Sequence, residues 1–311
     1  MPKEEVKEEQ PYAACLLALD QDVAKPIFFK NGVAAGPRED GIRNAMMQMA
    51  GVLRPDQKWK IQKKSFWLSA PIGEPGQAQS VQQQIQDTAV GLQVASPVGC
   101  EYFIVLTHVS SAAGDSVLDR GSLMSSEWTR RTAPKLTNET DCKLIVDAVL
   151  DAFSNKSRMM NPLRLFELGL QSHHSYIRTM LWTTALDGLL MAKTSQLFVA
   201  RLCKYLGETH DVFPPSVGIA IMPLGLRQAA YDLFELRSTV AHGEKIPEKF
   251  WKPLQPVTPA NTEVAYQGTS TLAACLEEAS LLLLTAVLRK IIREDLSIID
   301  NEKKWRSRLN L

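Results

Sequence analysis

Cysteine is scarce in this sequence, and its few copies are isolated. The 311 residues include five cysteines, and no two of them form a CxxC pair. Isolated thiols in odd number are typical of buried side chains in a reducing compartment, and they do not support a zinc site or a disulfide framework. P-loop, HExxH and GxSxG motifs are absent as well. We therefore expect no metal and no cofactor, and P-loop, zinc-peptidase and serine-hydrolase chemistry receive little support.

The sequence also lacks an excess of one charge and a long apolar run. Lysine and arginine total 35 against 34 aspartates and glutamates, so no overall field draws in nucleic acid or an anionic membrane. The apolar run at residues 281–284 is flanked too closely by charged residues to span a bilayer, and residues 1–10 have no apolar signal region. We expect a cytoplasmic protein without membrane contact, in which any contact with RNA comes from a local patch.

The composition is that of an ordinary globular protein, with 45% apolar and 22% charged residues, and the length allows two domains. Residues 1–10 are predicted to be a charged tail. Strand-like and helix-like segments alternate over residues 11–140, and only helical segments follow. The pattern predicts an α+β protein overall, in which an N-terminal α/β or α+β domain of unknown type precedes an all-α bundle at residues 141–311.

Hydrophobic periodicity predicts the individual elements. In the first part, strands are expected at 12–19, 27–30 and 101–109, a strand or hairpin within 59–68, and helices at 42–53 and 80–95. In the second part, helices are expected at 141–155, 162–171, 176–192, 195–206, 224–242 and 270–299. The proline-containing segment at residues 244–269 is predicted to be a long surface connection.

One predicted helix carries two residue types suited to phosphodiester chemistry without a metal. The segment YDLFELRSTVAHGE, residues 231–244, contains Arg237 and His242. A guanidinium donates two parallel hydrogen bonds to phosphate oxygens, and an imidazole titrates near neutral pH. Five residues turn a helix by about 140°, so the two side chains do not share a face by helix geometry alone. If Gly243 ends the helix, His242 lies on its last turn, where the geometry loosens.

An acidic residue in an otherwise apolar helix is the second feature of the bundle. Asp187 lies within LWTTALDGLLMA, and a carboxylate buried on such a helix needs a partner because its desolvation is costly. We predict that this partner is Arg237.

RSTVAHG preceded by YDLFEL resembles the R-x4-H motif of HEPN domains, in particular of the Apea-like HEPN group. Residues 161–207 are similar to the first helices of that group, which carry an R-x-F piece, an Ala-Leu-acid-x-Leu pattern and an Arg-Leu step. The matching residues are Arg164 with Phe166, then Ala185, Leu186, Asp187 and Leu189, then Arg201 with Leu202. The resemblance covers residues 141–311 at most.

This resemblance implies a helical bundle, commonly a dimer whose two Arg/His motifs face one cleft. In active members it implies a metal-independent endoribonuclease, often in toxin or anti-phage systems. Carried over to this chain, Arg237 holds the scissile phosphate and His242 serves as acid or base. Ser238 and Asp187 support Arg237 and His242. At the position of Ser238, active members more often have Asn, Asp or His.

Other interpretations of the same residues stay open. Arg237 can be a structural arginine between helices, His242 a helix cap, and Asp187 a structural acid. The bundle is then a non-catalytic RNA- or protein-binding module, acting as a dimeric scaffold or sensor, with a protein trigger or ligand at the N-terminal domain. Two further basic-aromatic segments can contact RNA or be solvated: Lys58, Lys60, Lys63 and Lys64 with Trp59 and Trp67, and the tail at residues 301–311.

Overall fold

The structure is a computed structural model, and it describes part of the chain. The described residues are 12–17, 26–37, 66–71, 78–95, 102–110, 116–120, 139–155, 157–172, 174–212, 224–252 and 271–310. They form two compact units, one up to residue 150 and one from residue 151 onward. The boundary between the two units lies inside the helix at Glu139–Ser154. It is about ten residues beyond residue 141, where the sequence pattern becomes entirely helical.

The first unit contains an antiparallel sheet. Its six strands are β1 (Tyr12–Leu17), β2 (Ile27–Phe28), β3 (Ala34–Pro37), β4 (Phe66–Pro71), β5 (Tyr102–Ser110) and β6 (Ser116–Arg120). They lie in the order β2-β3-β4-β1-β5-β6, and every described pair is antiparallel. An antiparallel sheet needs no helical crossover between neighbouring strands. Of the two fold classes left open for this part, α+β is therefore correct and α/β is wrong.

Two helices accompany this sheet among the described residues of the first unit. Helix α1 (Ala78–Ala95) buries its predicted stripe, namely Val81, Ile85, Ala89 and Leu92. Helix α2 (Glu139–Ser154) begins in this unit, where the Asp147 carboxylate accepts a hydrogen bond of 3.2 Å from the Lys30 amide. Strands β3 and β6 were not among the expected elements. The predicted helix at 42–53 and Lys58, Trp59, Lys60, Lys63 and Lys64 lie outside the described residues.

The second unit is helical, as the sequence predicts. After α2 it contains α3 (Met160–Gln171), α4 (Ser175–Leu190), α5 (Ser195–Leu206), α6 (Leu226–Ala241), α7 (Leu272–Lys290) and α8 (Glu302–Leu309). The bounds of α5 match the prediction, and those of α3, α4 and α6 lie within two residues of it. The long helix expected at 270–299 is shorter, because a π-helical turn at Ile291–Asp295 follows α7. No described helix has the length and apolar character needed to cross a membrane.

Helix α4 is the central element of this unit, because it packs against α3, α6 and α7. Its contact with α3 depends on one glycine. A Cβ atom at Gly169 would lie 2.2 Å from Nε1 of Trp182, which is fully buried and donates a hydrogen bond of 3.1 Å to the Phe166 carbonyl. The close approach of α3 and α4 therefore requires glycine at position 169.

Candidate functional site

The R-x4-H motif lies at the C-terminal end of α6, and the helix ends as the sequence predicts. The Glu244 amide donates to the Thr239 carbonyl at 3.0 Å, and the Gly243 amide donates to the Val240 carbonyl at 3.2 Å. Gly243 has a φ of +67°, which glycine adopts without strain. This is a Schellman motif with His242 as the C-cap residue. The predicted last-turn position of His242 is therefore confirmed.

Arg237 pairs with Asp187 of α4, which confirms the predicted partnership. The Arg237 Nη2 lies 3.2 Å from the Asp187 Oδ2, with side chains 26% and 16% exposed. The Arg237 Nε lies 3.5 Å from the Thr184 hydroxyl, and the guanidinium lies 5.4 Å from the centre of the Phe234 ring. Thr184 was not predicted, although its position three residues before Asp187 on one helix face was a usable signal.

Burial has the largest effect on the pKa of the Asp187 carboxyl. It raises the pKa of Asp187 above the ordinary value, and the neighbouring Arg237 only partly offsets this effect. The Asp187 Oδ1 atom is buried and has no hydrogen-bond partner among the described residues. The Asp187 Oδ2 atom therefore pairs with the guanidinium, whereas the Oδ1 atom is removed from water without a hydrogen bond that offsets the cost.

The end of α4 that carries Asp187 is fixed by side chains from two other helices. The carbonyls in the last turn of a helix have no partner within the helix. Here Arg201 of α5 donates to the carbonyls of Leu190 at 3.0 Å and Met191 at 2.6 Å. The Trp305 indole of α8 donates to the Leu189 carbonyl at 2.8 Å. Asp187 therefore sits on a rigid helix end.

The four predicted site residues are only partly brought together. Asp187 and Arg237 form the ion pair, and Ser238, which follows Arg237 in the sequence, is half-buried. The Ser238 carbonyl accepts a hydrogen bond of 3.0 Å from the His242 amide. The His242 side chain is exposed, and no described residue hydrogen-bonds to its imidazole. Within one chain, His242 lies about 140° around the helix axis from Arg237.

The described part of the predicted surface connection, residues 244–252, is mostly exposed, and a buried ring and an ion-pair bridge anchor it to the helical unit. A 3-10 turn at Glu248–Phe250 buries the Phe250 ring completely. Lys249 bridges Asp232 at 2.9 Å and Glu235 at 2.7 Å on α6. Burial lowers the pKa of Lys249, but its hydrogen bonds to these carboxylates outweigh that effect and raise it. The rest of the connection lies outside the described residues.

We expect the raised pKa of Asp187 to make the stability of the bundle depend on pH. A carboxyl whose pKa is higher in the folded than in the unfolded state contributes stability when protonated, and this is lost as pH rises through the folded-state value. The free energy of unfolding of the parent relative to Asp187→Asn should therefore fall as pH rises from 3.8, the ordinary pKa. Urea denaturation of both proteins over about pH 4 to 7 measures this difference. A difference that grows in favour of Asp187 as pH rises would contradict it.

Within the described ranges, no three His, Cys, Asp or Glu side chains come together as a metal site. The chain matches no protein-family model, and comparison with curated proteins and with solved structures finds no significant match.

Proposed function

We propose that the helical unit is a metal-independent endoribonuclease of the HEPN type. One observation carries this proposal: the Asp187 carboxylate binds Arg237 through Nη2, while about a quarter of the Arg237 side chain stays exposed. Arg237 lies on the helix that ends at the exposed His242. Nη1 has no hydrogen-bond partner among the described residues. A guanidinium oriented in this way can donate to a phosphate without losing its support.

In the proposed reaction, the 2′-oxygen of a ribose bonds to the adjacent phosphorus while the bond from phosphorus to the 5′-oxygen of the next nucleotide breaks. The 2′-OH proton passes to a base, and the departing 5′-oxygen takes a proton from an acid. Neutral and protonated imidazole perform these two tasks. The products are a 2′,3′-cyclic phosphate and a 5′-OH.

A symmetric dimer completes this proposal. One chain offers one guanidinium and one imidazole on different sides of α6, whereas a two-fold interface brings two of each to the same cleft. The proposed dimer forms through the helical unit. Arg237 then binds the phosphate, and the two copies of His242 act as proton acceptor and donor.

The purified protein should cleave single-stranded or structured RNA in the presence of EDTA, because the proposed groups need no metal. Gel electrophoresis of end-labelled RNA measures the rate, and treatment with a phosphatase that requires an open phosphate monoester tests the product ends. Resistance of the new 3′ ends to that enzyme is expected. Cleavage that disappears with EDTA and returns with a divalent cation would contradict the mechanism.

A non-catalytic binding module is the second candidate, and the His242 imidazole without an orienting partner among the described residues favours it. The Asp187 carboxylate already balances much of the guanidinium charge, and His242 has no described partner that would orient its ring. An exposed imidazole without an orienting partner is a weaker base or acid than a positioned one. RNA that binds to the protein and stays intact in EDTA and in magnesium would support this candidate over the first.

A further inference from the structure

An open pocket lies immediately after the R-x4-H motif. It has a volume of about 370 Å³ and is lined by Lys245, Ile246, Pro247, Glu248 and Trp251. The Trp251 side chain is 49% exposed, which is unusual for a large aromatic ring. The first lining residue follows His242 by three positions, so the pocket and the candidate site belong to one continuous stretch of chain.

The walls of this pocket are held in place by side chains that do not line it. Tyr176 contacts Trp251 edge to face, with ring centres 5.1 Å apart and planes at 67°. The turn that carries Glu248 is anchored by the buried Phe250 ring. The bridge from Lys249 to Asp232 and Glu235 ties the same turn to α6. An exposed indole is therefore presented in a fixed orientation at low entropic cost.

We infer that this pocket binds one unpaired nucleotide of RNA, with its base stacked on Trp251. The inference rests on the proposed function and names a substrate contact in the chain segment that follows the R-x4-H motif. Trp251 supplies the flat surface, the Glu248 carboxylate accepts a hydrogen bond from an exocyclic amino group of the base, and Lys245 contacts a backbone phosphate. A base in a duplex cannot stack in this way, so the pocket selects single-stranded RNA.

The three polar or aromatic lining residues differ in what they recognise, and together they favour a nucleotide over a peptide. A peptide backbone offers N–H and C=O groups, which a carboxylate and an ammonium also bind, but it carries no flat ring to cover the Trp251 indole. A nucleotide matches them one by one: an aromatic plane, an amino donor and a phosphate. Adenine carries an exocyclic amino group and uracil does not, so Glu248 should favour adenine over uracil.

Two short oligomers labelled with fluorescein, one of 2′-O-methyl adenosine and one of 2′-O-methyl uridine, test this inference by fluorescence anisotropy with the full chain. Neither can be cleaved because each lacks the 2′-OH nucleophile. Trp251→Ala should weaken binding of the adenosine oligomer by roughly tenfold or more, the scale of one lost base stack. Glu248→Ala should remove the preference for adenosine over uridine. Tyr231→Ala, which removes another exposed aromatic ring outside the pocket, should leave both affinities unchanged.

Cleavage of ordinary RNA by the same preparations separates this inference from the proposed function. If the parent cleaves RNA while Trp251→Ala binds both oligomers as tightly as the parent, the pocket assignment is wrong and the proposed function stands. If the parent binds neither oligomer, the assignment is also wrong, and the cleavage assay alone decides the proposed function. If the parent binds but does not cleave, and Trp251→Ala loses binding, the pocket assignment holds for a binding module.

Discussion

Replacing Arg237 with lysine is expected to remove most of the RNA cleavage, although the charge is kept. The Arg237 Nη2 is engaged by Asp187 at 3.2 Å, so in the proposed mechanism the guanidinium would contact phosphate through its remaining donors in a fixed plane. A lysine ammonium is a point charge without the fork that the proposed phosphate contact uses. It cannot hold Asp187 and orient a phosphate in the same geometry.

His242→Ala should slow cleavage by roughly 100-fold or more, the usual effect of removing a positioned acid or base. Both variants should fold normally, because neither residue is fully buried. The initial cleavage rate in EDTA measures the loss, and circular dichroism with a urea titration verifies the fold.

Two matched variants serve as controls for these substitutions. Arg227 lies on the same helix and pairs with Glu208 at 2.7 Å in an exposed position, so Arg227→Lys should keep the parent rate. His174 is an exposed histidine at the start of α4, and His174→Ala should keep the rate as well. Cleavage that survives in both Arg237→Lys and His242→Ala would leave the binding module as the better interpretation.

Trp305→Ala is expected to destabilise the helical unit by about 3–5 kcal/mol, the usual cost of truncating a buried aromatic residue. The Trp305 side chain is fully buried although its helix is otherwise rich in charge. It packs edge-on against Tyr205 with ring centres 5.6 Å apart. Its loss also leaves the Leu189 carbonyl, at the end of α4, without the hydrogen bond that the indole donates.

The same substitution at Trp251 is the control for this effect. That ring is half exposed, so Trp251→Ala should reduce the free energy of unfolding by far less than Trp305→Ala does. Trp305→Phe should fall between the parent and Trp305→Ala, since it keeps most of the apolar volume but not the N–H donor. Urea denaturation followed by circular dichroism gives all four values. Equal losses for Trp305→Ala and Trp251→Ala would contradict the anchoring role.

The tail at residues 301–311 shows how far local sequence can mislead. Its charged composition with one tryptophan is compatible with an RNA-contacting or solvated segment. In the structure, Trp305 and Leu309 are buried, while Arg308 lies 3.1 Å from the buried Asp295. One aromatic ring in two helical turns is too weak a pattern to predict that Trp305 is buried. The end of α4 against which Trp305 packs lies more than 100 residues earlier in the chain.

Periodicity by itself determined the helices of the second unit, since an apolar stripe recurs at the spacing of a helix wherever one face is buried. Residue type determined the end of α6 before Gly243 and the need for a partner at Asp187, because the first follows from the backbone freedom of glycine and the second from the cost of desolvating a carboxylate. The choice of Arg237 as that partner was confirmed by an ion pair between α4 and α6.

Apart from the pair of Arg237 and Asp187, only the tertiary structure decided which distant groups meet. The antiparallel order of the sheet, the capping of α4 by Arg201 and Trp305, and the placement of Tyr176 against Trp251 join residues far apart in the chain. Such contacts depend on how whole elements pack, and no local pattern encodes the partner of an unpaired carbonyl or an exposed ring. For this reason the sequence pointed to Arg237 and His242, while the pocket in the segment that follows them became visible only in the folded chain.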